Sequence, residues 1–212
     1  MPSLLDRLLG DDDTDEGIDL QEREDEAHEA LRNRVTAETY GIDDCAVTGV
    51  AVVNEGPDEE PITVPIARFS LGEDVESPDL DLDLVWELAS EAIRAMGPAF
   101  EGVFVRHYDV QFTFDGDGLF EAEECRRTAV TPELADRLVS ETGFDAGAFE
   151  SAMLEADDID DRVAPVAWGE CVDYSRSDDA AVVTGAAAAA AGASAAGASC
   201  AGAGAAGGAG GC

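Results

Sequence analysis

The sequence predicts an α+β fold: a small antiparallel sheet of two β-hairpins with flanking helices. Strand-like apolar runs come in two pairs, and each pair is joined by a segment rich in Gly and acidic residues. Segments with helical spacing of apolar residues precede, separate and follow the two pairs. The expected element order is therefore α-β-β-α-β-β-α-α, and helices packed on one face of the sheet would bury the apolar side of both.

The first helix and the first hairpin occupy the N-terminal part of the predicted domain. The helix is expected over residues 19–39, with His28 on a solvated, salt-bridged face. Its inward positions are Leu20, Ala27, Leu31 and Val35. The hairpin joins residues 45–53 to residues 62–71. Because Pro65 cannot donate a ladder hydrogen bond, the second strand is expected at an edge of the sheet.

Three further helices are indicated by apolar spacing and by capping residues. The second helix begins after Pro78 and ends at Gly97. Its inward positions are Leu82, Val85, Trp86, Ala89, Ile93 and Met96. The third begins at Thr131 and stops at Gly143, and the fourth begins near Asp145. Inward positions of the third helix are Leu134, Leu138 and Val139. No element is assigned to residues 163–174.

The second hairpin shows the clearest strand alternation. It joins residues 103–114 to residues 119–128 through the turn at residues 115–118. The positions expected on the core face are Phe104, Tyr108, Val110, Phe112 and Phe114. The positions expected on a solvated face are His107, Asp109, Gln111 and Thr113. One face of this hairpin is therefore predicted to be core and the other to be wet.

Domain boundaries follow from changes in composition. Residues 17–175 are expected to form a single α+β domain, between an amphipathic tag with an acidic linker at residues 1–16 and a flexible tail at residues 176–212. The tag leucines share one side of a two-turn helix and would dock either on a partner or on their own domain: Leu4, Leu5, Leu8 and Leu9. Residues 185–212 contain only Ala, Gly, Ser and Cys, so this uncharged stretch is not expected to enter a membrane.

The most unusual property of the chain is its charge. It carries 48 acidic residues and 12 basic ones, all of them Arg, for a net charge of -36. Self-repulsion on this scale opposes compaction in dilute buffer, whereas at molar salt the Debye length falls to roughly 3 Å and screens most of it. Arg is also weakly hydrated and pairs well with carboxylates. The composition therefore predicts a fold that needs high salt.

This composition resembles that of salt-adapted acidic cytosolic proteins of the haloarchaeal type, and the resemblance covers residues 1–184. It implies a habitat and a cytoplasmic location, but no activity. The sequence start lacks the basic and apolar segments of a secretory signal, which favours the same location. The five cysteines are odd in number, lie far apart and form no CxxC pair, which argues against a disulfide scaffold and a structural zinc site. Most are expected to be small buried thiols.

One constellation in the second hairpin has the chemistry of a metal site. If Phe112 pairs with Phe120, His107 lies opposite Cys125 and Asp109 opposite Glu123. The four candidate ligands are then His107, Asp109, Glu123 and Cys125, types that a divalent transition metal accepts. A four-residue turn would instead move Cys125 to the other face. The alternative is a solvated strand face that contains a histidine.

Other function classes are disfavoured. The third and fourth predicted helices could form a helix-turn-helix, but the fourth, which would be the recognition helix, is acidic and lacks Arg. It would repel phosphate, so nucleic-acid binding is not expected. No GxSxG motif is present, and no catalytic residue is identified. The expected function is therefore a non-enzymatic protein-interaction or adaptor/chaperone-like module that offers a sheet face or edge at high salt, without a cofactor. The alternative is a metal-dependent enzyme that uses the wet face of the second hairpin.

The charge gives a direct prediction about folding. The melting temperature, followed by circular dichroism across a KCl series, should rise as KCl approaches molar concentrations, because screening relieves repulsion in the folded state. A melting temperature that is the same in dilute and in molar KCl would contradict the salt requirement.

Overall fold

A computed structural model describes residues 18–56, 60–72, 81–114, 124–156 and 163–174, together with the backbone of residues 181–183. The α+β class is confirmed. The elements are α1 (Leu20–Arg34), α2 (Ala37–Tyr40), β1 (Asp44–Glu55), β2 (Pro61–Ser70), α3 (Leu82–Ala99), β3 (Tyr108–Phe114), β4 (Glu124–Val130), α4 (Pro132–Ser140), α5 (Ala146–Ala156), β5 (Val166–Glu170) and β6 (Ala181–Val183).

The strands form one mixed sheet rather than an antiparallel one. Its order is β5-β4-β3-β2-β1-β6, with β2 and β3 parallel and the other neighbours antiparallel. The two expected hairpins, β1–β2 and β3–β4, are both present. They join through a parallel pair because α3 carries the chain back between β2 and β3, as in a βαβ crossover.

The expectation that β2 lies at an edge is wrong, because this strand lies between β1 and β3. Pro65 pairs with Val50 of β1, and the parallel register with β3 begins one residue later at Ile66. The backbone N–H of Thr63, two residues before Pro65, points to the β3 side and donates to the carbonyl of Phe104. The missing donor of Pro65 therefore falls in the gap between the Thr63–Val105 bridge and the ladder that begins at Ile66.

The helical layer follows the predicted pattern with two local differences. The first helix ends at Arg34, because Val35 is extended and Thr36 caps the separate short helix α2, which ends at the left-handed Gly41. Helix α3 was expected to end at Gly97, but it continues to Ala99, so that Pro98 lies within its last turn. Leu82 and Val139, both expected inward, are exposed, and the remaining predicted inward positions of α3 and α4 are buried.

The main core lies between the helices and one face of the sheet. The rings of Phe69 and Phe112 stack in it at 5.5 Å between centroids, on the neighbouring strands β2 and β3. Trp86 of α3 meets Phe149 of α5 edge to face at 5.9 Å. The predicted core alternation of β3 is thus confirmed from Tyr108 onwards. Phe104 is the exception, because it precedes β3 and is exposed.

Two strands lie where the sequence indicated no regular structure. Residues 166–170, inside an unassigned stretch, form β5 beside β4. Residues 181–183, inside the predicted tail, form β6 and pair with Val50, Ala51 and Val52 of β1. The N-terminal tag and residues 184–212 lie outside the described residues. Within the described part of the chain, no helix has both the length and the apolar character needed to cross a membrane.

Candidate functional site

The second face of β3 is buried, contrary to the expectation of a solvated face. His107 is 4% exposed and Asp109 is 0% exposed, and Gln111 and Thr113 are buried with them. Tyr174, which lies far along the chain, packs at the start of this face and hydrogen-bonds to both His107 and Asp109. A small apolar cluster, formed by Ala51, Val64 and Ile66 with Tyr174, adjoins this face.

The predicted register of the second hairpin is also wrong. Phe112 pairs with Arg126 rather than with Phe120, and Asp109 pairs with Ala129 rather than with Glu123. In the described part of the hairpin, β4 covers Glu124–Val130 and pairs with β3 residue by residue. Because the register is shifted by an even number of residues, Cys125 stays on the face of Asp109 but lies opposite Thr113.

The four proposed metal ligands are only partly brought together. His107 and Asp109 share one network, whereas Cys125 forms a disulfide with Cys171 and has no thiolate to offer. That disulfide corrects the expectation that the cysteines are thiols, which holds for the buried Cys45. Glu123 lies outside the described residues. Among the residues that the structure does describe, no group of three or more His, Cys, Asp or Glu could hold a metal ion.

The centre of the buried face is the carboxylate of Asp109. Its Oδ2 accepts a hydrogen bond from the Tyr174 hydroxyl at 2.8 Å, and the Arg127 Nη1 lies 3.6 Å from the same oxygen. The Tyr174 oxygen lies 3.0 Å from the Nε2 of His107. Since the Tyr174 proton goes to Asp109, a neutral His107 donates its Nε2–H to Tyr174. We call His107, Asp109, Gln111, Arg127 and Tyr174 the polar network.

The network extends along the sheet to β2 and to the end of β5. Gln111 Nε2 lies 3.5 Å from Asp109 Oδ2, and its Oε1 accepts from Arg68 at 3.2 and 2.7 Å. Arg127 Nε donates to the backbone carbonyl of Glu170 at 3.0 Å. The other carboxylate oxygen, Asp109 Oδ1, is buried and has no hydrogen-bond partner in the described part of the chain. The carboxylate is therefore stabilised through one oxygen only.

Burial dominates the electrostatics of these groups. Desolvation raises the pKa of Asp109, an effect that Arg127 and the hydrogen bond from Tyr174 oppose. Burial, with help from the Arg127 and Arg106 charges, lowers the pKa of His107 to about 3. Burial and the neighbouring Asp109 carboxylate raise the pKa of Tyr174 above its ordinary value. At neutral pH, His107 is therefore neutral and Tyr174 keeps its proton.

The pKa values of His107 and Tyr174 lie away from neutral pH, whereas burial shifts the pKa of Asp109 upward, toward that range. General acid–base catalysis works best when the group titrates near the working pH, and neither His107 nor Tyr174 does. The network joins β3, β4 and the segment after β5 through hydrogen bonds and one ion pair, with Asp109 Oδ1 left without a partner in the described part of the chain. Sequence reasoning missed Arg127 and Tyr174. The alternation of β4 could have indicated Arg127, but no local signal places Tyr174.

His28 also has a contact that the sequence did not indicate. Its Nδ1 accepts a hydrogen bond from the backbone N–H of Val47 at 3.3 Å. Val47 lies at an irregularity of β1, where the register with β2 shifts before Gly49. The expected salt-bridged face is thus replaced by a contact that satisfies a strand N–H.

Comparison of the chain with protein-family models, with curated proteins and with solved structures finds no match.

The state of His107 leads to a prediction about pH. The unfolded chain protonates His107 below about pH 6.5, whereas the folded protein holds it neutral down to about pH 3. The contribution of His107 to the free energy of unfolding should therefore fall by about 1.4 kcal/mol for each pH unit below about pH 6.5, until the residue is protonated in the folded protein near pH 3. We expect His107→Gln to be less sensitive to acid than the wild type in urea unfolding at molar KCl between pH 7 and pH 5. Equal pH slopes for the two proteins would contradict a buried neutral His107, and His28→Gln is the matched control.

Proposed function

We propose that the protein is a non-enzymatic interaction module that works at high salt and binds a protein partner through the surface around Phe104. The observation that supports this proposal is the exposure of one aromatic ring. Phe104 is 54% exposed, whereas the other phenylalanines of the described part are at most 9% exposed. Those buried residues are Phe69, Phe100, Phe112, Phe114, Phe144 and Phe149. Aromatic side chains dominate the binding energy of many protein interfaces.

The backbone around Phe104 is held in place by β2. The Phe104 carbonyl accepts from the backbone N–H of Thr63 at 2.9 Å and from its hydroxyl at 3.1 Å. The N–H of Arg106 donates to the Thr63 carbonyl at 2.8 Å, and Val105 bridges to Thr63 in parallel. A partner would therefore meet an aromatic residue on an ordered backbone, which lowers the entropy cost of binding.

The charge of the chain favours apolar recognition. A partner that shares the same solvent would meet a surface with a net charge of -36, whose long-range field is screened within roughly 3 Å at molar salt. Electrostatic steering then contributes little to encounter or selectivity. Short-range apolar contact remains effective, so an exposed phenylalanine is a suitable anchor.

The second face of the sheet is less suitable than the sequence suggested. Tyr174 and the polar network occupy it, and Asp109 is buried there. The proposed contact surface is therefore the segment before β3 rather than the second face of the sheet. The tag leucines stay a predicted second contact: Leu4, Leu5, Leu8 and Leu9.

The test is affinity capture at molar KCl followed by mass spectrometry, with the full chain as bait. We expect Phe104→Ser to lose a partner that the wild type retains, because the substitution removes the exposed ring. Leu154→Ser is the matched control, since Leu154 is a similarly exposed apolar residue, 57% exposed, on a different element, α5. Circular dichroism of both variants checks that the fold is kept.

Two results would contradict the proposal. If the Phe104 and Leu154 variants capture the partner equally well, Phe104 does not contribute to binding. A stoichiometric transition metal in the purified protein that is lost in His107→Ala would favour the metal-dependent enzyme instead.

A further inference from the structure

Several neighbouring contacts hold residues 170–174 against the sheet, and we call these residues the latch segment; three of the contacts serve as its anchors. At its start, the Glu170 carbonyl accepts from Arg127 Nε at 3.0 Å. At its end, the Tyr174 hydroxyl donates to Asp109 at 2.8 Å. Between them, Cys171 is joined to Cys125 of β4. Only the middle anchor is covalent, so it is the one that a chemical reaction can remove.

The covalent anchor lies at the surface. Cys125 and Cys171 are both partly exposed and line a shallow surface cavity of about 350 Å³ together with Glu124, Arg126 and Glu170. Cys45, in contrast, is buried, and its Sγ contacts the carbonyl of Val35 at 3.7 Å. A small thiol reagent therefore has access to the disulfide and not to the remaining described cysteine.

What the latch segment covers is a buried ion pair. The Asp109 and Arg127 side chains are 0% and 3% exposed, and Tyr174 contacts both of them. Taking such a pair out of water carries a large desolvation cost, and one Asp109 oxygen is left without a hydrogen bond in the described structure. Lifting the segment would return both charges to water, which offsets part of the cost of breaking its contacts.

We propose that the Cys125–Cys171 disulfide is a redox-modification site whose reactant is a dithiol, and that its reduction releases the latch segment and uncovers the Asp109–Arg127 pair. One thiolate of the dithiol attacks a disulfide sulfur, forms a mixed disulfide and displaces the other cysteine as a thiolate. The second thiol of the reagent then displaces the first cysteine. Two electrons pass from the dithiol to the protein disulfide, which leaves two cysteine thiols and an oxidised, cyclic reagent.

The local charges permit this reaction at the salt concentration that the fold is predicted to require. An incoming thiolate is an anion, and the cavity presents both acids and the guanidinium of Arg126, which lies 4.0 Å from Glu124. Repulsion by the rest of the chain is screened at molar salt. This site does not depend on the Phe104 surface, and neither test affects the other.

The test compares two tyrosines on opposite faces of the sheet by hydroxyl-radical footprinting at molar KCl. Oxidised protein is compared with protein that has been reduced by dithiothreitol, alkylated and exchanged into reagent-free buffer at the same KCl concentration, and labelling is read by peptide mass spectrometry. Labelling of Tyr174 should rise by about fivefold or more on reduction, because a buried ring in a locally opened segment becomes accessible. Labelling of Tyr108, buried on the helical face, should stay unchanged.

A double variant, Cys125→Ser with Cys171→Ser, provides the same comparison without an alkyl group, and Cys45→Ser should leave the response to reduction intact. If the double variant does not fold, reduction of the wild type still provides the comparison. Protection of Tyr174 that persists after reduction would overturn the proposal. Equal exposure of Tyr108 and Tyr174 would also overturn it, because the disulfide would then hold the whole domain rather than the latch segment.

Discussion

The burial of the Asp109 carboxylate with Arg127 beneath Tyr174 is the constraint on which the second face of the sheet depends. A buried charge is tolerated only when it is paired and hydrogen-bonded, since the desolvation penalty amounts to several kcal/mol per ion. Here the partners come from β3, from β4 and from the segment after β5. The network can therefore form only when the chain that follows β5 is folded back onto the sheet.

Salt affects the acidic surface and this buried ion pair differently. Among the described residues, most acids lie at the surface, where salt screens them and where exposed pairs such as Arg137 with Glu141 contribute little. The pair of Asp109 with Arg127 is shielded from salt by its burial, so its strength depends on geometry. High salt is thus expected to stabilise the helical and strand surfaces generally, while the polar network fixes one particular arrangement of the chain.

Features that depend on residues close together in sequence were predicted, whereas features that depend on residues far apart in sequence were not. Helices α3 and α4 follow local apolar spacing and caps such as the Thr131 hydroxyl, so they were predicted closely. The core face of β3 follows from its alternation. The burial of its second face could not be predicted in this way, because Tyr174, which hydrogen-bonds to Asp109 there, is 65 residues from Asp109 in sequence. The Cys125–Cys171 pairing likewise requires β5 beside β4, which no spacing of cysteines reveals.

The most direct test of the central claim is a double-mutant cycle between Tyr174→Phe and Asp109→Asn, measured by urea unfolding at molar KCl. If the Tyr174 hydroxyl supports the buried carboxylate, the two losses in unfolding free energy should be non-additive, with a coupling of about 1–3 kcal/mol. Losses that add, within about 0.5 kcal/mol, would mean that the two side chains do not stabilise each other and would contradict the account.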